Sequence, residues 1–92
     1  MRAVRVTVRG GVQGVGFRWF TRDTASAHGV SGWVRNRRDG TVEAHLQGAD
    51  ASIDAVLVLL RQGPPYGRVD ELSTSDAPPG PSLSGFEIRA TV

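Results

Sequence analysis

The sequence contains neither cysteine nor lysine, so all eleven of its basic residues are arginine. Without cysteine the chain can form no disulfide, no thiolate nucleophile and no cysteine-ligated zinc site. It also lacks any apolar stretch near the ~20 residues that span a membrane. The opening residues, Met1-Arg2-Ala3-Val4-Arg5, contain no apolar core of a secretion signal. We therefore expect a cytoplasmic location and no membrane partner.

The composition predicts one globular domain over residues 1–92. Hydrophobic residues make up 39% of the chain, which is enough for a modest core. The charge is uneven, because residues 1–46 hold eight arginines against three acidic residues, whereas residues 47–92 hold three arginines against six. An anionic ligand should therefore be drawn to the first half of the chain.

Hydrophobic periodicity predicts seven secondary-structure elements. The strands are expected over Ala3–Arg9, Val30–Arg38, Thr41–Gln47, Arg68–Asp76 and Ser84–Thr91, and the helices over Phe17–His28 and Asp50–Gln62. This order is β-α-β-β-α-β with an extra C-terminal strand. Because crossover connections are right-handed, both helices should cover one face of an antiparallel sheet. The expected fold class is α+β, a ferredoxin-like sandwich.

Several boundaries carry turn or capping residues. Asp39-Gly40 predicts a two-residue type I′ hairpin turn. Asp50 or Ser52 is expected to cap the second helix, and Gly63 to end it. Poor alternation in the fourth strand predicts an edge position with a bulge. The segment Ala77–Leu83 holds three prolines and is expected to be a loop.

A glycine-rich stretch joins the first strand to the first helix. It reads Val8-Arg9-Gly10-Gly11-Val12-Gln13-Gly14-Val15-Gly16-Phe17-Arg18. Arg18 falls in the first helical turn, where the helix dipole and the unpaired N–H groups disfavour a cation. An anion held between those N–H groups and the guanidinium resolves the conflict, and phosphate fits the planar fork of arginine best. The alternative is a tight connection that needs glycine only for its backbone angles.

A second unusual stretch, from Gly32 to Gly40, places Asn36 near the end of a strand, where asparagine is disfavoured. Its neutral amide could orient a water molecule or hold an oxygen, or else brace the hairpin by bonding nearby backbone. A two-residue turn would place Asn36 opposite Glu43. Asn36 would then lie on the same face of the sheet as Val34 and His45. Trp33 would lie on the other face, with Val42, Ala44 and Leu46.

Both stretches resemble the signatures of the acylphosphatase family. The first signature is Gly10-x-Val12-Gln13-Gly14-Val15-x-Phe17-Arg18, and the second is Gly32-Trp33-Val34-Arg35-Asn36-x-x-x-Gly40-x-Val42-x-x-x-x-x-Gly48. The resemblance covers the whole length, and two long motifs at the expected separation are more specific than either alone. Gly11 and His28 depart from it, because the family often has arginine and leucine at these positions.

The resemblance implies hydrolysis of an acylphosphate, a carboxylic–phosphoric mixed anhydride, to carboxylate and inorganic phosphate. Arg18 would bind the phosphoryl oxygens, and Asn36 would position the attacking water. The backbone N–H groups that help to bind phosphate would be those of Gln13, Gly14, Val15, Gly16 and Phe17. The family needs no metal, no cofactor and no covalent intermediate. We expect a small-molecule acylphosphate substrate and a monomer.

Two other classes of function compete with this one. An RNA-binding ferredoxin-like domain needs aromatic residues on its two central strands, and Ala3–Arg9 and Thr41–Gln47 have none, so no nucleic-acid partner is expected. The stronger alternative is a non-catalytic, phosphate- or anion-binding regulatory domain. Trp19 and Trp33 are expected to pack rather than to stack on bases, and His45 to lie at the surface or half-buried.

Overall fold

Five strands form one sheet with two helices on one face in the computed structural model, which describes residues 1–80 and 85–92. In chain order the elements are β1 (Arg2–Gly11), α1 (Phe17–Ala27), β2 (Ser31–Asn36), β3 (Val42–Gly48), α2 (Asp50–Gln62), β4 (Arg68–Asp76) and β5 (Phe86–Ile88). The strand order across the sheet is β4-β1-β3-β2-β5. The predicted ferredoxin-like α+β fold with an extra C-terminal strand is confirmed.

The two edges of the sheet are formed by β4 and β5. The register of β4 against β1 shifts between Arg9 and Gly10, which confirms the predicted edge strand with a bulge. β5 runs parallel to β2, so the sheet is mixed rather than antiparallel throughout. β5 is also shorter than the predicted strand Ser84–Thr91. Ser84 and the end of the predicted loop Ala77–Leu83 lie outside the described residues.

The hydrophobic core lies between the helices and the sheet. Alternate residues of β1 point into it, so Val4, Val6 and Val8 are buried. The buried residues of the helices are Ile53, Val56, Leu57 and Leu60 on α2, and Phe17, Thr21 and Ala25 on α1. Burying each large apolar side chain stabilises the fold by about 1.5–3 kcal/mol. No helix in the described part of the chain is long and apolar enough to cross a membrane.

The helix ends follow the predictions only in part. Ala49 is the N-cap residue of α2 and no side chain caps it, so the predicted cap at Asp50 or Ser52 is wrong. Asp50 is instead the first helical residue, where its carboxylate interacts favourably with the helix dipole. Gly63 ends α2 as predicted, with a φ of 72°. α1 ends one residue earlier than predicted, because His28 is its C-cap.

The hairpin between β2 and β3 is longer than predicted. Asn36 pairs with Val42, which leaves residues 37–41 as the loop. Only Gly40 has a positive φ there, at 93°, whereas a type I′ turn needs two such residues. The predicted two-residue turn is therefore wrong. Asp39 Oδ1 accepts hydrogen bonds from the N–H (3.0 Å) and the hydroxyl (2.6 Å) of Thr41, which stabilises the longer loop.

The longer loop shifts the register of β2 against β3 by one residue, and such a shift exchanges the faces that side chains share. Asn36 is therefore opposite Val42 rather than Glu43. Trp33 is opposite His45, on the face of the sheet away from the helices. His45 is 5% exposed, so the prediction that it lies at the surface or half-buried is wrong.

Six side chains on that second face form what we call the open-face cluster, namely Trp33, Arg5, Arg35, Arg89, His45 and Glu43. The guanidinium carbons of Arg5, Arg35 and Arg89 lie 4.9, 4.7 and 4.9 Å from the indole centroid of Trp33. Trp33 is 7% exposed and packs as predicted, so it offers no free ring for a base to stack on. Trp19, in contrast, is 53% exposed rather than packed.

Glu43 is the acidic residue of the open-face cluster and offsets part of its positive charge. Its carboxylate accepts hydrogen bonds from Arg35 (2.7 Å), Arg37 (3.3 Å) and Arg5 (3.4 Å). Burial raises the pKa of Glu43, but the hydrogen bond and charge of Arg35, with the charges of Arg37 and Arg5, outweigh burial and hold this pKa below 4.5. A carboxyl group with a lowered pKa stabilises the fold above its unfolded pKa, and this contribution is lost as the pH falls through the folded value.

We therefore expect Glu43→Gln to lower the free energy of unfolding at neutral pH by about 1.5–3 kcal/mol, because three charged donors lose their anion. The variant should also lose less stability than the wild type when the pH falls below 4.5. Urea unfolding at neutral and acidic pH measures both effects. Glu71→Gln is the control, because that carboxylate is 64% exposed and its ion pair with Arg9 contributes little. An acid dependence that is identical in wild type and Glu43→Gln would contradict this account.

Candidate active site

Residues 12–17, which we call the glycine loop, connect β1 to α1. Val12 and Phe17 are buried and anchor the two ends of the loop. Gly14 and Gly16 have φ values of 75° and 79°, which glycine adopts without strain. A Cβ atom at either position would meet nothing within 4 Å, so glycine is needed for conformation rather than for space. Alternation of these residues with residues of negative φ is the backbone pattern of a nest, in which successive N–H groups converge on an anion.

Within residues 1–80 and 85–92, the backbone N–H groups of residues 13–17 donate no hydrogen bond of good geometry. The first bond of α1 runs from the Phe20 N–H to the Gly16 carbonyl, at 3.0 Å. No acidic side chain lies in the first turn of α1 to interact with the positive end of its dipole. The glycine loop therefore presents a group of donors suited to an anion.

Arg18 adds a positive charge at the same place. Its side chain is half-buried and makes no ion pair or hydrogen bond among the residues that the structure describes. Two other arginines, Arg38 and Arg61, lack an ion pair in that part of the chain, and both are exposed. A half-buried guanidinium without a partner favours an anion, and its planar fork matches two phosphate oxygens.

Asn36 lies at the same end of the sheet as the glycine loop. It pairs with Val42, which pairs with Val8, so these residues form one row across β2, β3 and β1. Val42 and Val8 are buried beneath the helices, so Asn36 also points to the side on which α1 begins. Its Oδ1 atom is buried and has no hydrogen-bond partner in the described part of the chain. Such an oxygen is destabilising by about 1–3 kcal/mol unless a donor reaches it.

The backbone of Asn36 is also hydrogen-bonded on the edge of β2 that faces away from β3, by the last described residues. The Val92 N–H donates to the Asn36 carbonyl at 3.2 Å, and the Arg38 N–H donates to the Val92 carbonyl at 2.8 Å. The Arg89 N–H also donates to the Val34 carbonyl, at 2.8 Å. These bonds extend the parallel pairing beyond β5 and fix the strand end that carries Asn36.

The side chain of Gln13 connects the glycine loop to the hairpin loop. Its Nε2 donates to the Arg37 carbonyl at 2.7 Å and to the Thr41 carbonyl at 2.9 Å. Sequence reasoning assigned Gln13 a role for its backbone N–H alone. The acceptors lie 24 and 28 residues away, and no sequence pattern marks a backbone carbonyl as a partner, so this contact was missed.

Neither histidine lies at this site. The Nδ1 of His28 is 2.9 Å from the Thr24 carbonyl, at the opposite end of α1, and His45 belongs to the open-face cluster. Within residues 1–80 and 85–92 no three His, Asp or Glu side chains come together in a way that could hold a metal ion. The chemistry available here is that of backbone N–H groups, a guanidinium and an amide.

The ferredoxin-like fold with these groups at one end narrows the class of protein, and comparison with known proteins identifies the family. A family model described as Acylphosphatase matches residues 4–88. An acylphosphatase of Rhodospirillum rubrum is 46% identical over 92 residues, which is 100% of each chain. The crystal structure of acylphosphatase from Bacillus subtilis superposes with a TM-score of 0.92 at 32% identity, covering 97% of this chain and 99% of that one. The structure of an acylphosphatase from Coxiella burnetii superposes with a TM-score of 0.89 at 34% identity, covering 96% of this chain and 92% of that one. The chain therefore belongs to the acylphosphatase family and is an enzyme of that type.

We expect inorganic phosphate to raise the midpoint of thermal unfolding, because it should bind the folded glycine loop and not the unfolded chain. Arg18→Ala should remove most of this rise, because each charged hydrogen bond to phosphate contributes about 1.5–3 kcal/mol. Arg61→Ala removes an exposed arginine from the last turn of α2 and should keep the full rise. Scanning fluorimetry at constant ionic strength makes the comparison. A rise that survives Arg18→Ala would contradict the placement of the anion.

Proposed function

We propose that this chain, as one domain over residues 1–92, hydrolyses small acylphosphates to carboxylate and inorganic phosphate. Membership of the acylphosphatase family supports the reaction class. The observation that carries the proposal is the arrangement at one end of the sheet. Among the described residues, this end combines backbone donors without acceptors, an arginine without an acidic partner and a buried amide oxygen without a donor.

In the proposed mechanism the phosphoryl group binds between Arg18 and the N–H groups of Gln13, Gly14, Val15, Gly16 and Phe17. A loose phosphoryl-transfer transition state spreads negative charge over the equatorial oxygens, so catalysis depends on positioning and charge stabilisation. The N–H groups supply that stabilisation without moving, because the loop conformation and the start of α1 fix their directions, and the guanidinium of Arg18 adds its positive charge beside them.

Asn36 is proposed to position the attacking water. Its Oδ1 accepts a hydrogen bond from the water, whose lone pair then points at phosphorus opposite the acyl oxygen. A bond forms between the water oxygen and phosphorus, and the bond between phosphorus and the acyl oxygen breaks with its electron pair. The water proton passes to a phosphoryl oxygen or to solvent. The leaving carboxylate has a conjugate acid of pKa ~4, so it departs without a general acid.

The alternative function, a non-catalytic anion-binding regulatory domain, accounts for the glycine loop and Arg18 but not for Asn36. Binding an anion gives no reason to keep a buried, unpaired amide oxygen on the adjacent strand. Positioning a water molecule does give one. The monomeric state, the cytoplasmic location, the lack of a metal or cofactor requirement and the lack of a nucleic-acid partner stay predictions.

Hydrolysis of benzoyl phosphate by the pure protein, with a chelator present, tests the proposal. We expect turnover in the wild type and a loss on the order of 10²–10³-fold in kcat/KM for Arg18→Ala, comparable to loss of a transition-state donor. Asn36→Ala should lose a similar factor in kcat, while the inhibition constant of inorganic phosphate changes less than about threefold. Arg61→Ala is the matched control and should keep wild-type kinetics.

Two results would overturn the proposal. A folded wild type that binds phosphate without turnover would indicate the anion-binding alternative. Turnover that survives both Arg18→Ala and Asn36→Ala would place the chemistry elsewhere on the molecule.

A further inference from the structure

We propose that the side chain of Gln13 is a positioning residue that sets the distance between the bound phosphoryl group and the water held by Asn36. This inference rests on the proposed function. It concerns the side chain of Gln13, whereas the phosphate-binding role given above belongs to its backbone N–H. The side-chain amide would act through the hairpin loop and would not touch the substrate.

The geometry uses both hydrogens of the Gln13 amide. They are donated to the Arg37 carbonyl (2.7 Å) and the Thr41 carbonyl (2.9 Å), which lie at the two ends of the hairpin loop, residues 37–41. The same carbonyls accept the Gly40 N–H at 3.1 Å and the Arg37 N–H at 2.9 Å. One side chain of the glycine loop therefore holds both ends of the hairpin loop at once.

Hydrogen bonds within the hairpin loop connect this contact to Asn36. Arg37 follows Asn36 directly, and its N–H is bonded across the loop to Thr41. Asp39 fixes Thr41 through two hydrogen bonds, of 2.6 and 3.0 Å, and these bonds lower the pKa of Asp39, so its carboxylate stays ionised at neutral pH. The bond from Val92 holds the Asn36 carbonyl. The Gln13 amide joins this bonded hairpin to the glycine loop.

Glutamine is suited to holding both carbonyl groups, because its planar side-chain amide carries two N–H donors. Glutamate has the same size but no donor, and its charge would repel both carbonyls. Methionine has a similar length and no donor. Gln13 is exposed, so its replacement opens no cavity in the core and should leave the fold intact. A small error in the placement of a reacting group reduces the rate by as much as ~10²-fold.

The experiment is a double-mutant cycle between Gln13→Met and Asn36→Ala, with benzoyl phosphate turnover and inhibition by inorganic phosphate as readouts. We expect Gln13→Met to lower kcat on the order of tenfold in the wild-type background and less than about twofold in the Asn36→Ala background. The inhibition constant of phosphate should change less than about threefold. Gln13→Glu should lower kcat at least as much as Gln13→Met. Gln62→Met, at the exposed end of α2, is the matched control and should change neither readout.

An equal loss of kcat in both backgrounds would overturn the proposal, because it would show a role independent of Asn36. So would unchanged kcat in Gln13→Met, or a loss of phosphate affinity as large as the loss of kcat. If the wild type has no turnover, the proposed function fails, and the contact itself is tested by NMR. Slow solvent exchange of the Gln13 side-chain amide protons, with shifts at residues 36–41 in Gln13→Met, would support it. Fast exchange without such shifts would overturn it.

Discussion

The arrangement of this end of the molecule depends on one constraint, namely that the N–H groups at the start of α1 make no well-formed hydrogen bond within the described residues. Buried Val12 and Phe17 hold the loop that presents them, and left-handed Gly14 and Gly16 aim them. A negative side chain in the first helical turn would satisfy the dipole, yet the residue there is Arg18. The sequence thus leaves this end of the molecule positively charged and suited to an external anion. Burial of the hydrophobic core offsets the free-energy cost of that arrangement.

The distribution of ion pairs separates this end from the rest of a basic surface. Eight arginines lie in the first half of the chain, and charge alone does not distinguish among them. Arg5, Arg35 and Arg37 share the carboxylate of Glu43 on the open face, where Trp33 covers the sheet that the helices leave bare. Arg18 differs because it is half-buried without an acid in the described part of the chain. The helix side of the sheet therefore carries the proposed chemistry, whereas the arginines on the other side already have acidic partners.

Strong periodicity explains what the sequence predicted well. The alternation of β1, the helical spacing of α1 and α2, and the position of Arg18 in the first turn are local properties, and the structure agrees with them. The hairpin was harder to predict from the sequence, because the Asp39-Gly40 signal for a short turn competes with hydrogen bonds from Thr41 to the Asp39 side chain. That difference of one residue moved Trp33 to the other face. The parallel pairing of β5 and the contacts of Gln13 depend on distant residues, which no local pattern identifies.

The most direct test of the account is to follow backbone and side-chain amide resonances during a titration with inorganic phosphate. The account predicts saturable shifts that are largest at residues 13–18 and at the side chain of Asn36, and their loss in Arg18→Ala. The open-face cluster should be unaffected, because Arg5 and Arg35 already pair with Glu43 and Arg89 pairs with Glu87. Shifts centred on Arg5, Arg35 and Arg89, with none at the glycine loop, would contradict the account by placing the anion on the opposite face of the sheet.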